Sequence, residues 1–491
     1  MGRSGKLIAV LAGIVIVAVL SLAFASTGVR QDDHERNIAQ PEELFLDLDI
    51  QAAYNDDDIF WRFSWETDTP HFYHDYLVYE GGEWVRYGQS PVGTDPHHTY
   101  EDRLTFLLDD GSVDLFSEYG GFMTVVADGG RFMREEADED EVEEILGEDR
   151  TDVRKFLPGT REDPMDWRTV LDDEEIAEMR SSGYFLDLWH WRAHRSNPIG
   201  WADDQLILDY RLGDDGEAPY ATNWDDEAEQ PELMFDPDET GQHAMDWDRV
   251  LDLDYSQDDY YYLTEDFAVD FDPDHDWQEG DVIPRRLLVE PEGSRGVIFA
   301  QGIAQDGGWE LELQRALDTG YPEDDKALEE FGHYDVAFAV HANATGSRWH
   351  YIGMPMTLGL QRDADIEAVY FDGDTPPWDD IEPVTETLFY PGMIGWDHLT
   401  DPDAHAGAGA MEGGTSFSVA HDIENMAFYA LESEFRPEII TQWAWTTLVW
   451  MLFVLAAVGA FVPLALKYGR QRTGKDVILR EGALRAEEER A

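Results

Sequence analysis

The segment from Asp187 to Gln205, DLWHWRAHRSNPIGWADDQ, sets histidine, arginine and aspartate side chains among tryptophans. In an extended strand successive side chains point to opposite faces, so His190 points away from Trp189 and Trp191. Tryptophans packed in a core would leave His190 exposed; tryptophans facing outward would turn it inward. A buried histidine is more often a hydrogen-bonded core residue than a metal ligand. Asp203 and Asp204, just before the next apolar run, read as turn or cap groups. Elsewhere, Asp270, Asp272, Asp274 and Asp276 have the alternate spacing of a calcium loop. His275 stands where such a loop needs glycine and Asp281 where it needs glutamate, so a solvated acidic loop is the competing reading. Hydrolytic signatures are missing: there is no Gly-x-Ser-x-Gly elbow and no His-Glu-x-x-His pair. With no cysteine, disulfides, thiolate-held iron–sulfur clusters and haem attached through Cys-x-x-Cys-His are ruled out.

The elements that must position these groups are short runs with period-two alternation or continuous β-branched and aromatic character. They include ELFLDLDI from Glu43, DIFWRFSWE from Asp58, RLTFLL from Arg103, FLDLWHW from Phe185, QLILDYRL from Gln205, RGVIFA from Arg295, WELELQ from Trp309 and VAFAVHA from Val336. Turn residues separate them, which predicts a mainly β fold, an antiparallel β-sandwich over residues 40–365. Two acidic insertions interrupt it. The first, 127–176, contains EEADEDEVEEILGEDR, where short helices are expected; the second, 213–279, carries the echo FDPDE and FDPDH. A Gly-rich, acidic tail follows over 366–440.

The chain holds 106 Asp plus Glu against 34 Lys plus Arg, a formal net charge of -72. Such self-repulsion strains a compact fold in dilute buffer, whereas molar salt cuts the Debye length to about 3 Å. The composition therefore reads as adaptation to a salt-saturated medium. Nucleic acid is excluded as a partner, because phosphate contacts need basic patches. Hydrophobic residues at 43% are too many for a disordered acidic polymer, so a real core is expected. Residues 1–28 contain the apolar run Leu7–Ala25 behind Arg3 and Lys6, a signal peptide or an N-terminal anchor. A second run, Trp443–Leu466, is long enough to cross a bilayer. Tryptophans at its start and Lys467, Arg470, Arg472 and Lys475 after it predict a C-terminal transmembrane helix with the 467–491 tail in the cytoplasm. The large domain is then extracellular, held at the cell membrane.

Five ordered blocks carry a family resemblance: EDRLTFLL from Glu101, the Asp187–Gln205 segment, GDVIP from Gly280, GWELELQRALDTGYPEDD from Gly308 and YDVAFAVHANATGSRWHYIGMPMTLGL from Tyr334. Together they resemble the haem-binding gamma subunits of the ethylbenzene dehydrogenase and dimethyl sulfoxide reductase type II family. The resemblance implies a sandwich around a non-covalent haem b that carries electrons and is not itself an enzyme. Catalysis would belong to a molybdopterin subunit and an iron–sulfur subunit, with a membrane cytochrome b or Rieske-type protein as donor. Haem iron needs two axial donors on opposite faces of the ring. Met179, eight residues before Asp187, matches the family's methionine ligand. The family's lysine position is Gln314 here, beside Arg315; Lys326 lies nearby in a charged turn expected to be solvated. His350 and His190 are the further candidates. Trp189 suits either a core or a haem wall. Arg192, Arg195 and Arg315 would pair with haem propionates or with the chain's own carboxylates. In the tail, FSVAH from Phe417 to His421 resembles a c-type haem site that has lost its cysteines and kept His421; an incidental histidine in a linker is the alternative. The runner-up function is a non-haem extracellular sandwich that binds sugar or a partner.

Overall fold

The computed structural model describes residues 45–389 except 89–94, 96, 125–137, 148–149, 151–152, 154, 165, 306 and 345–349, together with scattered positions between 445 and 481. Thirteen strands form one large sheet. They are β1 (Phe45–Tyr54), β2 (Asp58–Glu66), β3 (Arg103–Asp109), β4 (Leu186–Arg192), β5 (Asp203–Ile207), β6 (Arg211–Gly213), β7 (Phe299–Gln305), β8 (Gly308–Ala316), β9 (His333–His341), β10 (Tyr351–Ile352), β11 (Met356–Leu360), β12 (Ile366–Tyr370) and β13 (Val384–Phe389). The spatial order is β7-β8-β2-β1-β12-β11-β9-β3-β4-β5-β6, with β10 joining β9 to β13 and β13 pairing with β1.

Alternation in the sequence becomes two faces in the fold. Along β8, Trp309, Leu311, Leu313 and Arg315 are buried, while Glu310, Glu312 and Gln314 point the other way. The sheet folds over so that its two halves share a core. Trp61 of β2 meets Phe106 of β3 at 5.3 Å between ring centroids, and Phe63 meets Phe338 of β9 at 5.7 Å. An isolated bridge between Trp201 and Phe299 ties the approach to β5 to the opposite edge strand, β7. This is the expected mainly β fold, with one correction: β12 runs parallel to both β1 and β11, so the sheet is mixed rather than antiparallel. Alternation reports which face a side chain takes and says nothing of strand direction. A second correction concerns extent, because β12 and β13 carry the sheet past residue 365 to Phe389.

The first insertion supplies two helices, α1 (Glu139–Leu146) and α2 (Asp173–Ser181), each opened by an aspartate side chain, Asp138 and Asp172, that accepts a backbone N–H of the first turn. Ahead of them Phe116, Tyr119 and Met123 cover Leu107, Leu186, Leu188 and Ile207, so β4 is buried on both faces. The second insertion forms one two-stranded piece of its own and lends short strands to two small sheets shared with Tyr76–Glu80, Glu83–Tyr87, Asp281–Pro284 and Arg286–Leu288. Among the described residues no helix is long and apolar enough to cross a membrane. Residues 1–28, most of Trp443–Leu466 and His421 lie outside the described residues.

Candidate functional site

Strands β3, β4 and β5 set Thr105, His190 and Asp203 in one cross-strand row. Trp189 and Trp191 take the opposite, core face, against Phe106 at 4.8 Å and Trp309 at 5.1 Å. Trp189 is therefore core. His190 is nonetheless 2% exposed rather than solvated, because arginine side chains lie on it. Its Nδ1 meets Arg192 Nη2 at 2.8 Å and Arg211 Nη2 at 2.6 Å. A guanidinium only donates, so Nδ1 must be the acceptor and the neutral ring carries its proton on Nε2. Burial, followed by the charges of Arg192 and Arg211, holds the imidazole well below its ordinary pKa and keeps it neutral. An Nε2–H has no lone pair for iron, so His190 in this arrangement is not an axial ligand.

The neighbouring arginines are committed to internal carboxylates. Asp203 accepts from Arg192 Nη1 at 2.5 Å and from Arg295 Nε at 2.6 Å. Arg195 pairs with buried Glu101, which also accepts the backbone N–H groups of His194 and Arg195. Burial would raise the Glu101 pKa, but Arg195 and His194 bring it below the usual value. Arg192, Arg195 and Arg286 all lie within 5.6 Å of the Tyr220 ring centre. Of the two roles expected for Arg192 and Arg195, the structure realises pairing with carboxylates.

The remaining ligand candidates are dispersed. Met179, half-buried on α2, packs against the cluster of Phe185, Leu206 and Leu208. Gln314 faces away from the core and donates to Asp58 at 3.1 Å. His350 is buried in a parallel stack on His341, 4.6 Å between centroids. Thr105 partners both His190 and Ala339, and Arg103 partners His341, so His190 and His341 share one face of the sheet. Lys326 corrects the expectation of a solvated turn. It is 3% exposed, and its ammonium donates to Asp110 at 2.8 Å, to Ser112 at 2.6 Å and to the Gly183 carbonyl at 2.6 Å. All three protons are used, leaving no free donor atom for a metal. A pocket of about 470 Å³ beside it is lined by Phe185, His333 and Tyr334 among others, and by none of Met179, His190 or His350.

Arg315 is fully buried, 4.4 Å from the Trp189 ring centre, among aspartates. Its Nη1 donates to Asp187 at 2.7 Å and lies 3.6 Å from Asp204 and from Asp325. Asp203 and Asp204, expected as turn or cap groups, are instead buried strand residues of β5. Asp187, Asp204 and Asp325 offer oxygens all within 4.8 Å of one another, the one such metal-competent group among the described residues. The Asp270–Asp276 carboxylates do not converge in this way. Asp270, Asp272, Asp274 and Asp276 are exposed, and Asp272 caps the turn by accepting the Asp274 N–H at 2.9 Å.

Sequence order alone did not reveal the pairing of Glu101 with Arg195, nor the close contact of His71 with His98 at 3.1 Å. It did place Asp187 and Arg315 in blocks of the same resemblance, a signal that they belong to one construction. The family model for ethylbenzene dehydrogenase matches residues 24–352. No curated protein matches the chain.

Proposed function

Because the chain belongs to the ethylbenzene dehydrogenase family, we propose that it is a non-catalytic subunit of a molybdenum oxidoreductase, exported, held at the cell membrane and carrying electrons through haem b. The observation that carries this reading is the family match across 24–352, which takes in the whole of the core from β1 to β10. Molybdopterin and iron–sulfur subunits are the partners in this reading, with a membrane cytochrome b or Rieske-type donor. The chain's own contribution is a rigid, dry scaffold: Trp61, Trp189, Trp191 and Arg315 are all less than 2% exposed.

A bound haem b would supply a one-electron relay. The described residues do not assemble its two axial donors. His190 presents an N–H, Lys326 is saturated, and Met179 and His350 stand on separate elements. That disagreement favours a second reading, a non-haem subunit that keeps the family sandwich for assembly.

The visible absorption spectrum of the chain purified in high salt, oxidised and dithionite-reduced, separates the two. A Soret band, sharpened reduced bands and extractable haem b support the electron-carrying reading. The bands should then survive His190→Gln and weaken in Met179→Ala or His350→Ala. A well-folded protein that stays colourless even after haem is added leaves the assembly role.

A further inference from the structure

Three buried carboxylates, Asp187, Asp204 and Asp325, surround one guanidinium, that of Arg315, and a fourth, Asp214, neighbours Asp325 and Asp187. Lys326 turns its amine away to Asp110 and Ser112 and reaches the carboxylates through its backbone N–H, which donates to Asp187 at 3.0 Å. The three carboxylates around Arg315 thus outnumber the one guanidinium that pairs with them. The oxygens carry the same message. Arg315 and the Lys326 N–H both use Asp187 Oδ2, so Asp187 Oδ1 has no hydrogen-bond partner, and neither do Asp204 Oδ2 and Asp325 Oδ1. Asp214 is independent of the Arg315 pairs, 4% exposed, and has no partner at either carboxylate oxygen. Its strongest charged neighbours are Asp325 and Asp187, and its backbone N–H donates to the Asp204 carbonyl at 3.4 Å. A buried ionised carboxylate with no partner costs several kcal/mol, so a ligand of opposite charge is the missing element.

We propose that Asp187, Asp204, Asp214 and Asp325 bind a calcium ion that pins β4, β5 and the Pro322–Lys326 turn together. The donors are all carboxylate oxygens with no nitrogen or sulfur among them, which selects a hard cation. The mutual spacing of three of them, within 4.8 Å, is that of ligands around an ion bonded at 2.3–2.6 Å. Magnesium needs shorter bonds and a stricter octahedron. Arg315 stays beside the ion, and the guanidinium and the divalent ion together offset all but one of the four carboxylate charges. Of the haem-ligand candidates only Lys326 adjoins the site, through its backbone N–H on Asp187, and the ion would be held whether or not haem is bound.

The test uses the full chain in molar KCl, with calcium content measured by mass spectrometry after exhaustive dialysis and with thermal unfolding followed in calcium, in magnesium and in chelator. An equimolar calcium that resists dialysis, and an unfolding midpoint that falls in chelator and recovers with calcium but not magnesium, are expected. Asp214→Asn should lower calcium affinity by roughly tenfold or more, because affinity at oxygen sites follows ligand charge. Asp204→Asn should do the same and serves if the first variant folds poorly. Asp276→Asn, in the exposed loop with calcium-like spacing, should leave the tight calcium in place. Equal calcium in wild type and in both site variants, with a midpoint indifferent to chelator, would overturn the proposal and leave the carboxylates neutralised by protons.

Discussion

Asp102 shows how a single buried group makes stability depend on pH. Its Oδ2 accepts from the His71 backbone N–H at 3.0 Å and from Trp309 Nε1 at 2.9 Å, but burial outweighs both and raises its pKa to about 7. An unfolded aspartate titrates near 4. The folded state therefore holds the proton more tightly, and the stabilisation is complete below about pH 4 and is lost as pH rises through about 7. The stability of wild type relative to Asp102→Asn should fall across that window and level off above it. Denaturant midpoints of both proteins over a pH series would show this, and a difference that does not change with pH would contradict it. Arg315 is the converse case, a buried cation whose loss strands Asp187. Arg315→Met should cost about 3–5 kcal/mol of unfolding free energy, the price of an uncompensated buried charge. At this scale the sequence was partly legible. Alternation correctly put His190 opposite Trp189 and Trp191, but it could not foresee the arginines that bury the ring, since Arg211 arrives from a different strand.

At the scale of elements, the strands were the most legible part, because two buried faces demand continuous apolar or alternating runs. FLDLWHW became β4 and WELELQ falls within β8. Only the last two residues of RGVIFA are strand: Gly293–Gly296 is a tight helical turn and β7 begins at Phe299. Parallel pairing of β12 and the return of β13 onto β1 were not legible, since both depend on long-range contacts of short, weakly patterned segments. Two substitutions test the packing. A Cβ at Gly302 would lie 2.3 Å from the Trp191 ring, so Gly302→Ala should destabilise by about 1–3 kcal/mol. Asp172 accepts the Glu175 N–H at 3.0 Å at the start of α2, and Asp172→Ala should cost about 1 kcal/mol there. Unfolding midpoints as stable as wild type in either case would show that the surrounding element yields.

For the whole molecule, the charge of -72 is the dominant fact and was readable directly from composition. Screening falls away as the Debye length grows from about 3 Å in molar salt to about 30 Å in dilute buffer. Dialysis from molar KCl into dilute buffer should therefore unfold the sandwich, seen as loss of its near-ultraviolet tryptophan dichroism. A fold that persists would mean that the carboxylates are neutralised locally. The family, and with it the mainly β fold, was legible because its blocks keep their order. The buried arginine–carboxylate pairs, such as Arg195 with Glu101, were not, because a match of sequence blocks does not say which charged groups meet. The claim that this chain serves a molybdenum oxidoreductase is tested most directly by metal content. The tagged chain would be isolated from its native membrane in molar salt and the molybdenum that travels with it measured against chain concentration. Equimolar molybdenum through a final sizing step is expected. An intact, homogeneous complex devoid of molybdenum would contradict it.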